Sequence, residues 1–549
     1  MLQDSDLISI QEVRAKVEQA YAAWTRYRSA SQSQADAIVE AMAAAARANA
    51  QRLADRAVEE TGYGNARDKY TKNMLAADLL PKRMRGMRTL GVLREIPEEK
   101  IVEIGVPMGV VAAILPTTNP TSTAIYKTLI AVKAGNGIVL APHPRARACT
   151  CETVAILAEA AVKAGAPEGL IQCITNSTVE GTNELMRHRR TAVILSTGGA
   201  GIVRAAYSSG KPAYGVGPGN VPVLVDISAN IPAAVAKIVE GKSFDYGTLC
   251  SSEQTLVAEK SIREPILAAL KANHAHRCDI PQTAALARLL ITKNFGINAD
   301  CVGQAPEKIA KMAGFEVAND TSILTVEIEG VGKEHPLSAE KLSPVLSLYF
   351  VSDFAAALDA CEAVLRFAGL GHTCGIYATD DARIRSFALR MPAYRVIANA
   401  PTPTGSTGIA TNLFPAMTLG CGAVAGNSTS DNVSPLHLIN IKRLAYAVDA
   451  TPMPTEIDPA NIDRAQIVSA VERFLATRGV LRKEAAPAPP PQPEPSITDF
   501  VCEDDVRKAI AQSKKIFIGP KTIVTPSARD LAGPHDILIV TKKEMKLNT

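Results

Sequence analysis

The sequence predicts an α/β fold whose mostly parallel sheets are covered by helices on both faces. Two observations predict it. Between Lys100 and Glu240, short apolar runs ending in Gly or Pro alternate with helical stretches, and a second region of the same rhythm spans about 245–445. The chain has 549 residues, 47% apolar and 21% charged. That is ordinary for a globular enzyme and too long for one core, so two or three domains are expected.

The elements follow in order. Residues 10–60 are rich in Ala, Glu, Gln and Arg, with Ile38, Met42 and Ala45 at helical spacing. They predict two or three surface helices ending near Gly62-Tyr63-Gly64. Val110–Leu115 reads as a buried strand, Ala124–Lys133 as a helix and Gly137–Leu140 as a strand. Cys151–Ala164 continues as a helix, with strands at Ala192–Leu195 and Val223–Val225. Residues 484–495 hold six prolines. Proline cannot donate to a helix or a sheet ladder, so this stretch predicts an extended spacer, roughly 37 Å long at ~3.1 Å per residue. Beyond it, Asp499–Ser513 reads as a helix, Ile516–Gly519 and Thr522–Val524 as short strands, and Ser527–Ala532 as one more helix. No internal repeat is apparent.

Composition excludes several classes of function. A net charge of only +4, spread along the chain, argues against nucleic acid or an acidic membrane as partner. No stretch approaches the ~20 apolar residues that span a bilayer. The opening Met1–Asp6 lacks the order of a secretory signal, so a cytoplasmic location is expected. Ten cysteines are then thiols rather than a disulfide framework. Cys149 and Cys151 form a lone C-x-C pair, and no metal site is expected.

Cys250 stands in Phe244-Asp245-Tyr246-Gly247-Thr248-Leu249-Cys250-Ser251-Ser252-Glu253, where the glycine permits a sharp turn and close approach of a substrate. Thr117-Thr118-Asn119-Pro120 follows a strand directly. An Asn at the C-terminal end of a parallel strand sits where such enzymes place catalytic groups, and its amide can donate to an oxyanion. Ser196-Thr197-Gly198-Gly199-Ala200-Gly201 lies between a strand and a helix, a setting that accepts phosphate, although its spacing is not the full dinucleotide fingerprint.

Taken together, Pro116–Lys127, Ser196–Gly219, Phe244–Gln254, Glu340–Pro344 and Leu419–Asn440 resemble the aldehyde dehydrogenase superfamily. The likeness spans about residues 15–465 and is closest to the CoA-acylating branch, including the aldehyde-oxidising half of bifunctional alcohol/aldehyde dehydrogenases. The resemblance implies N-terminal helices and a Rossmann-type cofactor domain mainly in 1–240 and an α/β catalytic domain mainly in 241–445. It further implies a return to the core with an oligomerisation segment at 446–483, the linker at 484–495 and a small C-terminal extension at 496–549. It makes Cys250 the nucleophile and Asn119 the oxyanion donor. Thr197, Gly198 and Gly199 fall beside the cofactor pyrophosphate, Glu340 grips the nicotinamide ribose, and Thr117, Thr118, Pro142 and His143 border the cofactor. Pro142-His143-Pro144 replaces a lysine that hydrolytic relatives carry near the adenosine ribose, which leaves NAD against NADP open. His372 recurs in acylating relatives and is given no role.

Hydrolytic relatives carry a glutamate as base for water, whereas here the corresponding Tyr214-Gly215-Val216-Gly217-Pro218-Gly219-Asn220 has no acid. A thiol needs less assistance than water. The expectation is therefore an NAD-dependent acylating enzyme that passes an acyl group from Cys250 to coenzyme A. Propionaldehyde is the favoured substrate, with acetaldehyde next and sulfoacetaldehyde as an alternative. A hydrolytic enzyme giving free acid and a scaffold that keeps the fold without the chemistry are the rivals. A homodimer or homotetramer is implied. The spacer and tail resemble targeting extensions of enzymes packed in bacterial microcompartments, with shell proteins as partners of residues 496–549.

Overall fold

Helix signals in the first 60 residues act as written. Asp4 caps Ser5–Tyr27, Ser31 and Gln34 form a capping box on Gln32–Ala48, and Gly62 in the left-handed region ends Ala50–Thr61. In the computed structural model, which describes residues 4–292, 295–448, 464–477 and 497–541, these are not surface helices. Val13, Val17 and Ala20 pack beneath the first sheet, and Ile38, Met42 and Ala46 join the largest core cluster. Their small and branched residues lie on one stripe, which is the face that gets buried.

The first sheet has five parallel strands in the spatial order Ile171–Cys173, Gly137–Ala141, Val110–Ile114, Thr191–Thr197, Ala213–Val216. The chain winds outward from Val110–Ile114 to one edge, then returns to its other side. This places a topological switch point between Val110–Ile114 and Thr191–Thr197, where open α/β sheets bind ligands. Helix Pro120–Lys133 follows the first of these strands and is buried along its whole length. Its Lys127 Nζ donates to the carbonyls of Ile114 and Leu195 at 2.7 and 2.9 Å. One amine thus ties the ends of both strands at the switch point.

The second sheet has seven parallel strands in the order Ala275–Arg277, Ile323–Glu327, Val345–Val351, Glu253–Glu259, Val221–Val225, Cys374–Tyr377, Val396–Ala398. Val221–Val225 belongs here rather than with the strands before it. The crossing between sheets therefore falls at 217–220, not at 240, which lies inside helix Ile231–Ser243. Apolar periodicity is identical in the two sheets, so it carries no sign of which one a strand joins. A third, antiparallel sheet pairs Gly91–Ile96, Ile101–Pro107 and Ile439–Ala445.

Residues 449–549 form a separate unit. Of the expected return segment at 446–483, only 446–448 and helix Arg464–Thr477 are described, and the spacer at 484–495 lies outside the described residues. In the extension, parallel strands Thr498–Val501, Ile516–Val524 and Leu538–Val540 alternate with helices Glu503–Ala511 and Pro526–Ala532. A core of Val501, Val506, Ala509, Ala528, Ala532 and Ile537 holds them. The helix expected from Asp499 thus begins at Glu503, because pairing with Ile516–Val524 draws Thr498–Val501 into a strand. No helix among the described residues is long and apolar enough to cross a membrane.

Candidate active site

After helix Ile231–Ser243 the chain reverses through Asp245, Tyr246 and Gly247, all at positive φ (47°, 52° and 72°). Two non-glycine residues in that region cost about 1–3 kcal/mol each unless the surroundings hold them. The Asp245 carboxylate is the clamp. It is fully buried, accepts from the Asn65 N–H at 2.9 Å and from Lys69 Nζ at 3.2 Å, and also binds Lys72 Nζ and the Thr248 hydroxyl. Gly64 makes room for it, since a Cβ there would lie 1.9 Å from Asp245 Oδ1. The turn delivers Cys250 to a site between the two sheets.

His372 meets it. Its Nε2 lies 3.1 Å from Cys250 Sγ, and its Nδ1 lies 3.0 Å from the Thr373 hydroxyl. A proton on Nδ1, donated to Thr373, leaves Nε2 free to accept from the thiol. Burial pushes the Cys250 thiol up to about 12, helped by the nearby Glu340 carboxylate. Burial, then Arg395, pushes His372 down to about 3. With the two so far apart the pair rests uncharged, as thiol and imidazole. Arg395 braces the His372 turn by donating to the carbonyls of Gly371 and Gly420 at 3.1 and 2.6 Å.

Gly219 closes the group. A Cβ there would lie 2.2 Å from the Cys250 carbonyl oxygen and 3.0 Å from the His372 ring, and its N–H donates to Glu340 Oε1 at 3.3 Å. Burial raises Glu340 to about 8 against the pull of Lys242 and Lys341. With that single donor, the carboxylate keeps lone pairs for a diol. At the switch point, the turn Thr197-Gly198-Gly199 opens helix Ala200–Tyr207, and a Cβ at Gly199 would meet nothing within 4 Å. Unobstructed amides at a helix start fit a dinucleotide's pyrophosphate, and the Glu340 carboxyl fits a ribose diol.

Asn119 stands at the other strand of the switch point. Its Oδ1 accepts from Lys72 Nζ at 2.5 Å and its Nδ2 donates to the Thr118 hydroxyl at 3.0 Å. Lys72 also donates to the Thr248 hydroxyl at 3.3 Å, which joins the Asn119 loop to the Cys250 loop. Burial lowers Lys72 to about 8, Asp245 and Asp68 opposing and Lys69 adding to the fall. Thr117 shares this loop, whereas Pro142 and exposed His143 end the neighbouring strand. His143 Nδ1 accepts from the Arg145 N–H at 3.2 Å. Lys69, Lys72, Asp245, Arg395 and His372 enter the site through folding alone. The only local signal is the i, i+3 spacing of the two lysines in a polar helix, which ordinarily marks a solvated face.

Three comparisons bear on this arrangement. A bifunctional aldehyde-alcohol dehydrogenase of Escherichia coli is 41% identical over 442 residues, covering 80% of this chain and 50% of that protein. The chain thus spans about half the length of that curated relative. A crystal structure of an acetylating aldehyde dehydrogenase from Geobacillus thermoglucosidasius is 50% identical, with a TM-score of 0.81 over 82% of this chain and all of that one. A propionaldehyde dehydrogenase from a fucose-utilisation microcompartment of Clostridium phytofermentans is 27% identical, with a TM-score of 0.72 over 80% and 98% of the two chains. With the aldehyde dehydrogenase family model matching residues 4–411, and with the α/β architecture of its solved members, the chain belongs to the aldehyde dehydrogenase family.

Proposed function

We propose that the chain is a CoA-acylating aldehyde dehydrogenase in which Cys250 carries the acyl group. The observation that supports this best is the Cys250–His372 contact at 3.1 Å beside a Tyr214–Asn220 segment that supplies no acid. As the sulfur adds to the aldehyde carbon, the thiol proton moves to His372 Nε2 and the carbonyl oxygen receives an N–H from Asn119 Nδ2. The bound nicotinamide cofactor supplies the hydride acceptor for the step that leaves a thioester on Cys250. Thr197, Gly198 and Gly199 hold its pyrophosphate and Glu340 its ribose, with Thr117, Thr118, Pro142 and His143 along its border. His372 releases that proton to solvent, then takes the proton of the incoming CoA thiol, whose sulfur attacks the thioester, and returns it to the Cys250 sulfur as that bond breaks.

The substrate is a short aliphatic aldehyde. Propionaldehyde is the choice from sequence, and the 50% identity to an acetylating enzyme supports acetaldehyde alongside it. The cofactor is NAD, with NADP the alternative. A panel of aldehydes assayed for reduced cofactor and acyl-CoA tests the reading, and turnover retained by Cys250→Ala would end it. Hydrolysis is the second reading, favoured by Glu340 lying close enough to raise the Cys250 thiol. Substantial free acid in the absence of CoA would select it.

We further propose a homodimer or homotetramer, supported by exposed Val92, Ile441 and Leu444 on the antiparallel sheet, to be measured by light scattering. Packing into a microcompartment through residues 496–549 is supported by the core of their own that residues 497–541 form. Removing 484–549 should leave kinetics intact and abolish co-purification with shells. Unchanged co-purification would contradict it.

A further inference from the structure

We propose that Lys72 is the positioning residue for Asn119: its ammonium holds the amide with Oδ1 turned inward, so that Nδ2 is presented to the oxygen of the Cys250 adduct. This rests on the reading above, in which Cys250 is the nucleophile and Asn119 the oxyanion donor.

Asn119 forgoes the bond that its position ordinarily makes. It occupies the N-cap of helix Pro120–Lys133, and an Asn there ordinarily accepts from the N–H two or three residues on. Here it makes no side-chain cap, and its oxygen is diverted to Lys72 Nζ at 2.5 Å. The two ends of a carboxamide are chemically opposite, and an ammonium has three donors and no acceptor. Only Oδ1 can face it. The reversed amide could still accept from the Thr118 hydroxyl, but it would set the NH2 against the ammonium in a buried site and leave one Lys72 donor unpaired.

Lys72 is itself held in one place. Its three protons match three acceptors: Asn119 Oδ1, the Asp245 carboxylate and the Thr248 hydroxyl. Thr248 in turn donates to Asp245, so its oxygen is free to accept. Nζ is therefore a fixed point shared by helix Ala66–Met74, the Asn119 loop and the Cys250 turn. Lys69, one turn earlier, reaches the Thr118 carbonyl and Asp245 but not the amide. With Oδ1 pinned, Nδ2 gives one N–H to the Thr118 hydroxyl and keeps the other for substrate.

A double-mutant cycle on the full chain tests this, with kcat for reduced-cofactor formation as the readout. Removing one oxyanion donor costs about 10²–10³-fold in kcat. Lys72→Met and Asn119→Ala are each expected to lose about 10²-fold, with aldehyde KM and cofactor affinity little changed. The double variant should be hardly slower than Asn119→Ala alone, because the amide that Lys72 orients is gone. Losses that multiply would show that Lys72 acts on the Cys250 turn instead, and a Lys72→Met enzyme with full kcat would show that it does nothing; either overturns the proposal. If Lys72→Met fails to bind cofactor, the cycle is run in an Asp245→Asn background, which removes the carboxylate that Lys72→Met leaves uncompensated, under the same two criteria. Turnover surviving in Cys250→Ala would instead refute the underlying reading, and the two failures are distinguishable.

Discussion

Asp245→Asn keeps the size of the side chain and removes its charge. Asp245 is fully buried and serves two lysines that are themselves at most 2% exposed. Removing one partner of a buried ion pair ordinarily costs about 3–5 kcal/mol, because a charge is left without compensation. Asp245 Oδ2 accepts from both ammoniums and from Thr248 while Oδ1 accepts from the Asn65 N–H, so an asparagine must set an NH2 against one of these donor groups and carries no charge to balance the lysines. The left-handed Asp245 and Tyr246 backbone also loses its clamp, so the upper part of that range is expected near pH 6.5. At ~2–4 °C per kcal/mol for domains of 150–250 residues, the midpoint should fall by about 10 °C. The pH dependence gives the sharper test. Lys72 is lowered from 10.5 to about 8 in the folded chain. The unfolded chain thus binds more protons between those values, and this residue makes stability rise with pH there. Without Asp245 the Lys72 value falls further and the window extends below 8. The share of the Asp245→Asn deficit that comes from Lys72 should therefore be greatest at pH 6–7 and vanish above about 8. Circular dichroism melts at pH 6, 7.5 and 9 and one scan rate measure this. A deficit equal at all three pH values, or none, would refute the buried-charge account.

Three further outcomes follow from the site. Cofactor affinity should tighten as pH rises through about 8, where Glu340 ionises and accepts from a diol, and Glu340→Gln should flatten that dependence in fluorescence titrations; a slope unchanged in the variant would exclude the role. Because His372 is held near 3, turnover should show no histidine limb near pH 6.5, while His372→Ala should lose about 10²-fold in kcat at every pH from 6 to 8; a wild-type limb near 6.5 that His372→Ala removes would contradict the uncharged resting pair. Gly219→Ala places a Cβ against the Cys250 carbonyl oxygen and should cost turnover far more than melting temperature, and near-normal kcat would show that the Cys250 turn yields.

The parts legible in the sequence are those set by neighbours along the chain. Alternating apolar runs and helical stretches, capping residues and glycine turns act within a few residues, so the α/β class, the helix ends and the strand-to-helix turns at Asn119 and Gly198 could be read directly. Family likeness then picked out Cys250 and Glu340. The return of Val221–Val225 to the second sheet was not legible, because parallel strands of either sheet share one apolar pattern. Nor was the start of the extension, where pairing with Ile516–Val524 outweighs the helical look of the segment after Asp499.

By itself, then, the sequence determined the elements and singled out Cys250 as the candidate nucleophile, whereas tertiary structure decided that thiol's surroundings. His372 reaches Cys250 across 122 residues, and Lys72 reaches Asp245 across 173. A lysine in a polar helix looks solvated until folding removes its water and leaves a single carboxylate to balance it. Charge state, amide orientation and proton acceptor are properties of burial, and burial is created only when distant segments meet.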